Sequence, residues 1–178
     1  VGDYLAESGV PGLLTFGLIH LAVLVLCWPI AQGYFLGGIH SDQYVAGYAF
    51  RLFGAERFLE TGRIPQWNPY LFGGMPFIAA SSGDIFYPTF LLRMIMETDA
   101  AMTWGFIIHT WLAGVFTFVF LRGAGFGFFP ALFGGVAYLL SGQIASYASP
   151  GHDGKLFVST LFPLFLWTAQ RGVREGRL

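Results

Sequence analysis

Charged residues are scarce in this chain of 178 residues. Asp, Glu, Lys and Arg together make up only 11% of it, whereas soluble globular proteins carry roughly 25%. Hydrophobic residues make up 55%, and the mean hydropathy is +0.62. The net charge of -1 excludes the basic surface that a nucleic-acid-binding protein needs, so no nucleic-acid partner is expected. This composition favours a protein whose partner is the lipid bilayer.

The sequence also contains only one cysteine and no pattern typical of β-strands. The single cysteine, Cys27, excludes an intrachain disulfide and a metal site built from cysteines. It lies in an apolar run, where a free cysteine acts as a small buried hydrophobe. Polar and apolar residues do not alternate with period two, so strands are not predicted. No metal site is predicted, and the pattern identifies no cofactor.

Long uncharged runs are the most informative feature that the sequence does contain. No Asp, Glu, Lys or Arg occurs between Glu7 and Asp42, and further runs without these residues cover 100–121 and 123–152. Uncharged apolar runs of about 18 residues or more are typical of membrane-spanning helices. We predict four spans, at about 12–31, 101–121, 126–147 and 156–170. The fourth is short for a bilayer, and Lys155 and Arg171 would extend it by snorkelling to the two interfaces.

The basic residues predict an orientation for these spans. Arg122 stands alone between the second and third spans, and Arg171, Arg174 and Arg177 follow the fourth. Cytoplasmic loops carry an excess of Lys and Arg, so both positions are assigned to the cytoplasm. Both termini are then cytoplasmic, and residues 33–99 and 148–155 face outward.

The outward segment 33–99 is the part with room for chemistry. Residues 41–61 predict an amphipathic interfacial helix with Ser41 or Asp42 as its N-cap, and its apolar face consists of Val45, Tyr48, Leu52 and Leu59. Four prolines exclude a continuous helix over 64–88. We predict an irregular aromatic segment there, followed by a short helix at 89–96. The fold class is therefore all-α integral membrane, with about four spans and a large extracytoplasmic first loop.

Asp42 is the first candidate for chemistry, because it follows the first span directly. A carboxylate at the outer membrane surface is partly desolvated and suited to act as a general base. The alternative is the helix N-cap already mentioned.

The segment 62–77, GRIPQWNPYLFGGMPF, contains the motif Gly-x-x-Pro-x-Trp-Asn-Pro-Tyr. Further matches are Asp42, the Tyr87–Pro88 pair, HTWLAG at 109–114, Ser141–Gly142 and Gly151–His152. With these residues the chain resembles the YfhO-type family of large bacterial membrane proteins, which are members or relatives of the GT-C class of polyprenyl-phosphate-sugar glycosyltransferases. The matches run from about residue 42 to residue 174, which is most of the chain.

The resemblance implies an enzyme of the bacterial inner membrane that moves a sugar from a polyprenyl-linked donor to a cell-envelope acceptor. Asp42 would deprotonate the acceptor hydroxyl or hold a metal. The substrate-binding residues that it implies are Trp67, Asn68 and Tyr70 for the sugar, and His152 and Lys155 for the lipid phosphate. Together they would meet at one outer rim. The alternatives are interfacial anchoring for Trp67 and Tyr70, and snorkelling for Lys155.

Family members carry many more spans than four. The resemblance therefore implies the N-terminal module of a larger enzyme, which is not catalytically complete by itself. The alternative is a shortened, non-catalytic relative that serves as a structural subunit of a larger membrane complex, photosynthetic or respiratory.

His109 is an ionisable residue in the middle of the second predicted span. Such residues are functional candidates by default, so a haem or chlorophyll-type ligand is one interpretation. Packing between helices is the other, and small residues at Gly105, Gly114, Gly134 and Gly135 would allow the helices to approach closely.

Overall fold

The computed structural model describes residues 40–80, 83–148 and 150–176, together with Gly17, Leu18, Leu21, Val23 and Val25. The described chain is mostly helical. It divides into two compact units, which we call the loop unit (Phe35–Gly105 with Ser149–His152) and the helix unit (Val1–Tyr34, Phe106–Ala148 and Asp153–Leu178). The predicted first span at 12–31 and Cys27 lie outside the described residues, apart from the five single positions named above.

The loop unit begins with one helical stretch. A π-helical turn, Gln43–Gly47, leads directly into helix α1, Tyr48–Thr61. Gly62 ends α1 with φ +68°, and its amide donates to the Phe58 carbonyl at 2.8 Å. Glycine suits this left-handed position because it has no Cβ to clash. The helix predicted over 41–61 is therefore present.

The face that α1 buries in the loop unit is aromatic, and the sequence did not predict it. Phe50 stacks on Phe77 with ring centroids 4.4 Å apart and an interplanar angle of 8°. Val45 and Leu59, which were predicted to lie on the apolar face of an interfacial helix, are 69% and 61% exposed, so their contact with a membrane surface stays a prediction. Aromatic packing decides the rotation of the helix. The core of the loop unit consists of Phe50, Phe53 and Phe77, with Leu71, Ala80 and Ile85 packed around them.

The Pro-rich segment contains a minimal hairpin. Strand β1, Trp67–Asn68, pairs antiparallel with β2, Met75–Pro76. Strands were not predicted, because two residues are too few to show a period of two. A 3₁₀-helix, Pro88–Met94, follows where a short helix was predicted at 89–96, and its proline occupies the first turn, where no amide partner is needed.

The remaining helices belong to the helix unit, except that residues 98–105 at the start of the first one belong to the loop unit. Helix α2 is Thr98–Gly123, α3 is Phe128–Leu139, α4 is Gly142–Ser146 and α5 is Asp153–Arg174. A Cβ at Gly135 would lie 2.7 Å from the Gly114 carbonyl oxygen, so α2 and α3 touch backbone to backbone. Such a contact is possible only with small residues, as the sequence predicted for these two glycines.

Two segments in the described part of the chain are long and apolar enough to cross a bilayer. They are Thr98–Gly123 and Phe128–Ser146, with mean hydropathies of 1.7 and 1.4. In the 18-residue apolar stretch of each segment, only 33% and 22% respectively is buried inside the chain. A core helix of a soluble protein hides its apolar surface, so this exposure favours a membrane protein. The two segments coincide with the spans predicted at 101–121 and 126–147.

The predicted fourth span is longer than the sequence indicated. Helix α5 has 22 residues, or about 33 Å at 1.5 Å per residue, and includes Lys155 in its first turn and Arg171 in its last. It is not one of the two apolar segments above, so its membrane crossing stays a prediction. The predicted third span is interrupted, because α3 ends at Leu139 and the Ser141 hydroxyl accepts the Ile144 amide to begin α4.

Candidate functional site

Ser41 caps the first helical turn and leaves the Asp42 side chain available. The Ser41 hydroxyl accepts the Tyr44 amide at 3.2 Å, and Ser41 itself is buried. The Asp42 side chain makes no capping hydrogen bond and is 75% exposed. Of the two N-caps that the sequence proposed, the structure uses Ser41.

The Asp42 carboxylate instead faces His152. His152 Nε2 lies 3.3 Å from Asp42 Oδ2. Both residues belong to the loop unit, because the short segment Ser149–His152 packs there. Two of the residues that the sequence singled out for chemistry are thus brought together.

Two hydrogen bonds attach the segment with His152 to the start of the helix. The Asp42 amide donates to the Pro150 carbonyl at 2.9 Å. Gln43 Nε2 donates to the Gly151 carbonyl, also at 2.9 Å, and Gln43 is buried. Both bonds are made to the two residues that precede His152, so they restrain how the two side chains meet.

Gly151 makes this close approach possible. Its φ is +78°, a region that favours glycine, and a Cβ on it would lie 2.6 Å from Gln43 Cγ and 2.8 Å from the Gln43 amide nitrogen. Any side chain here would push the segment with His152 away from the helix start.

A buried ionic cluster lies behind Gln43. The Gln43 side-chain oxygen accepts from Arg51 Nη1 at 3.4 Å, and Arg51 Nε lies 3.3 Å from Asp84 Oδ1. Asp84 also accepts from Arg93 and from the Thr89 hydroxyl. A chain of polar contacts therefore runs from Asp84 through Arg51 and Gln43 to Gly151.

The charge state of Asp84 follows from these contacts. Burial alone raises the pKa of its carboxyl, but the Arg93 and Arg51 guanidiniums and the hydrogen bonds from Arg93 and Thr89 outweigh burial and hold the pKa below its ordinary value of 3.8. Asp84 is thus an anion at neutral pH, and it explains why Arg51 is buried on α1.

No role was predicted for this cluster, although the sequence contains a signal. Asp84 is the single acid between Glu60 and Glu97, in a segment dominated by aromatic and apolar residues. An acid in such surroundings is almost never buried unless it is paired, so Asp84 indicates a basic partner. Arg51 is distant in sequence and Arg93 is nine residues away, and neither spacing is one that helix or strand periodicity reveals.

The residues of the Trp-Asn-Pro-Tyr motif fall into two groups. Trp67 and Tyr70 are 55% and 74% exposed, and Tyr70 packs edge-on against Phe53 with centroids 5.8 Å apart. Asn68 is only 2% exposed, and its side-chain oxygen accepts the Tyr70 amide at 3.0 Å. Asn68 therefore holds the turn, while the two aromatic side chains face outward.

Lys155 and His109 belong to the helix unit. Lys155 is exposed in the first turn of α5. Its place at a common rim with Asp42 stays a prediction. His109 is buried and stacks on Phe157 with centroids 3.8 Å apart, and its carbonyl accepts the Thr160 hydroxyl at 3.0 Å. These contacts support the interhelical packing interpretation of His109.

The described ranges 40–80, 83–148 and 150–176 contain no group of three or more His, Cys, Asp or Glu side chains placed to hold a metal ion. What the arrangement offers is an exposed carboxylate beside an imidazole. A carboxylate in that setting accepts a proton, and an imidazole N–H orients it.

Comparison with protein-family models, curated proteins and solved structures found no match to this chain. The family resemblance therefore remains an expectation that rests on the motif residues.

Proposed function

We propose that this chain is the N-terminal membrane module of a glycosyltransferase, which moves a sugar from a polyprenyl-linked donor to a cell-envelope acceptor at the outer face of the bacterial inner membrane. The observation that carries the proposal is the Asp42–His152 contact of 3.3 Å, on a segment attached to the helix start by two hydrogen bonds. The two apolar helical segments support a location in a membrane.

In the proposed step, Asp42 removes the proton from an acceptor hydroxyl. The hydroxyl oxygen then forms a bond to the anomeric carbon of the sugar, and the bond from that carbon to the phosphate oxygen breaks. The polyprenyl phosphate leaves with the electron pair. His152 orients the carboxylate through its Nε2 atom, which makes it a positioning residue in this scheme.

The remaining residues have roles by resemblance. Trp67 and Tyr70 present exposed aromatic faces to a sugar, and Lys155 offers a point charge for the lipid phosphate. Asn68 acts through the turn that it stabilises, because its oxygen already accepts the Tyr70 amide.

The test is sugar transfer by the full-length protein in membrane vesicles, with radiolabelled polyprenyl-phosphate-glucose and polyprenyl-phosphate-N-acetylglucosamine as donors. We expect label to appear in cell-envelope polymer with at least one donor and to vanish with Asp42→Asn. Transfer at the wild-type rate by Asp42→Asn would remove Asp42 from the mechanism.

A structural subunit of a larger membrane complex is the second candidate. It is favoured by large aromatic side chains that the described fold leaves exposed on helix surfaces, such as Phe129, Phe133 and Phe165 at 74%, 75% and 64%. Such side chains face either lipid or neighbouring subunits. Co-migration with a respiratory or photosynthetic complex in native gels, without any sugar transfer, would favour this candidate.

A further inference from the structure

An open cleft of about 570 Å³ lies in the loop unit, between the end of α1 and the hairpin that starts at β1. Its volume falls within the roughly 300–1,000 Å³ that small-molecule sites occupy. Asp42 and His152 do not line it. The cleft is therefore a second candidate site, separate from the proposed proton-accepting pair. The side chains that matter for its chemistry are Arg57, Thr61, Arg63, Gln66 and Trp67.

Trp67 gives the cleft a rigid aromatic wall. Its indole packs over Gly74, where φ is +119° and a Cβ would lie 2.6 Å from ring atom Cζ2. Trp67 nevertheless stays 55% exposed and lines the cleft, so part of its ring surface is accessible there. A side chain already held in place loses little freedom when a ligand stacks on it.

The cleft is also positively charged. Arg57 and Arg63 line it and no acid does. Arg57 is paired with Glu60 at 3.0 Å, a surface ion pair of the weak kind that exchanges readily for another anion. No carboxylate in residues 40–80, 83–148 or 150–176 lies within ion-pair distance of the Arg63 guanidinium. A guanidinium fork matches a carboxylate in bidentate geometry.

The backbone that carries Arg63 is fixed by its neighbours. The Arg63 amide donates to the Thr61 hydroxyl at 3.2 Å, and that hydroxyl donates to the Arg57 carbonyl at 2.6 Å. Gly62 turns the chain between them with φ +68°. The end of α1 thus brings both arginines to the same cleft as Trp67.

We propose that this cleft binds an acidic saccharide. A uronic acid ring stacks on the open face of Trp67, its carboxylate pairs with Arg63 and Arg57, and the Gln66 amide is within the cleft for its hydroxyls. An aromatic side chain beside two cations favours a charged sugar ring as the ligand. A lipid phosphate would need only the cations. The cleft shares Trp67 with the sugar-binding residues proposed above, but this binding needs neither Asp42 nor a polyprenyl-linked donor.

The test is isothermal titration calorimetry on the full chain in uncharged detergent, with trigalacturonate as the probe and maltotriose as its neutral counterpart. We expect trigalacturonate to bind at least about tenfold more tightly than maltotriose, which is the effect of one charge-assisted contact. Equal affinities, or no heat of binding with trigalacturonate, would overturn the proposal.

Variants assign the binding to the cleft. Trp67→Ala and Arg63→Gln should each weaken trigalacturonate binding by about tenfold. Trp67→Phe, which keeps an aromatic plane, should retain most of the affinity. Phe72→Ala is the matched control, because Phe72 is 94% exposed in the same hairpin but outside the cleft. Wild-type affinity in both Trp67→Ala and Arg63→Gln would place the binding elsewhere and refute the site.

Vesicles of anionic phosphatidylglycerol test whether the cleft binds a lipid headgroup instead of an acidic sugar. Binding to these vesicles that needs Arg63 but not Trp67, without binding of trigalacturonate, would identify a lipid contact and overturn the saccharide proposal. No sugar donor is present in these assays, so a failure to bind trigalacturonate would not contradict the transfer proposal. Likewise, the result of the transfer assay with Asp42→Asn would not contradict the cleft proposal.

Discussion

His152 Nε2 lies 3.3 Å from Asp42 Oδ2, although the two residues come from distant parts of the chain. The contact exists because Pro150 and Gly151 bond to the backbone of Asp42 and the side chain of Gln43. A solvent-exposed carboxylate without a role at the start of a helix would not need such a partner. The first predictions therefore concern this pair and the segment that supports it.

Asp42→Asn should abolish sugar transfer by the full-length protein, with a loss of about 10²–10⁴-fold in rate, because the amide cannot accept a proton. His152→Gln should lower the rate less, since the carboxylate remains. Initial rates in vesicles measure both. Glu97→Gln is the control, because Glu97 is an exposed acid of the same unit.

Gly151→Ala should displace the segment with His152, because the new Cβ would meet Gln43 at 2.6 Å in a strained backbone region. We expect the free energy of unfolding to fall by about 1–3 kcal/mol and sugar transfer to fall with it. Thermal unfolding followed by circular dichroism measures the first effect.

The matched control is Gly154→Ala in α5, where a Cβ meets nothing within 4 Å. Alanine is the better helix former, so this variant should be at least as stable as the wild type. Equal stability of the Gly151 and Gly154 variants would show that the segment with His152 is not held as described.

The sequence predicted the elements of this fold better than their packing. Uncharged runs indicated the apolar segments that end at Gly123 and begin at Phe128, and the prolines of 64–88 indicated that no continuous helix crosses that stretch. These signals are local, and each is read within about twenty residues. The break at Ser141 was missed because a serine N-cap inside an apolar run leaves hydropathy almost unchanged.

Long-range pairing was beyond a single sequence. The burial of Arg51 depends on Asp84, and the rotation of α1 depends on Phe77, both across long loops. For the candidate site, the motif residues indicated that Asp42 and His152 meet at one outer rim, but Gln43, which links them to the ionic cluster, carried no signal of its own.

Gly135→Ala tests the close approach of α2 and α3. The added Cβ would lie 2.7 Å from the Gly114 carbonyl oxygen, a backbone atom that is unable to rotate away. We expect the midpoint of thermal unfolding in detergent to fall by several degrees, as about 1–3 kcal/mol of overpacking does in a domain of this size. Gly142→Ala is the control, since a Cβ there has open space. A fall of the same size in both variants would indicate a general intolerance rather than the α2–α3 contact.

Asp84→Ala should be the most destabilising single change in the loop unit. Arg51 and Arg93 would keep two buried positive charges without their shared carboxylate. Breaking a buried ion pair by removing one partner typically costs about 3–5 kcal/mol, so we expect a loss of that order in the free energy of unfolding. Glu56→Gln, an exposed acid on α1, should change the stability by less than about 0.5 kcal/mol.

The same cluster predicts a loss of stability in acid. The pKa of Asp84 is lowered on folding, so its contribution is present above the ordinary value of 3.8, where both the folded and unfolded chains are ionised. As the pH falls below 3.8, the unfolded chain takes up the proton first, and the contribution is lost as the pH falls through the lower pKa of the folded state. Chemical denaturation at a series of pH values should therefore show a steep decline below pH 3.8 in the wild type and a shallower one in Asp84→Asn, which has no proton to bind at that position. Identical pH profiles for the two proteins would contradict an ionised Asp84 in the folded chain.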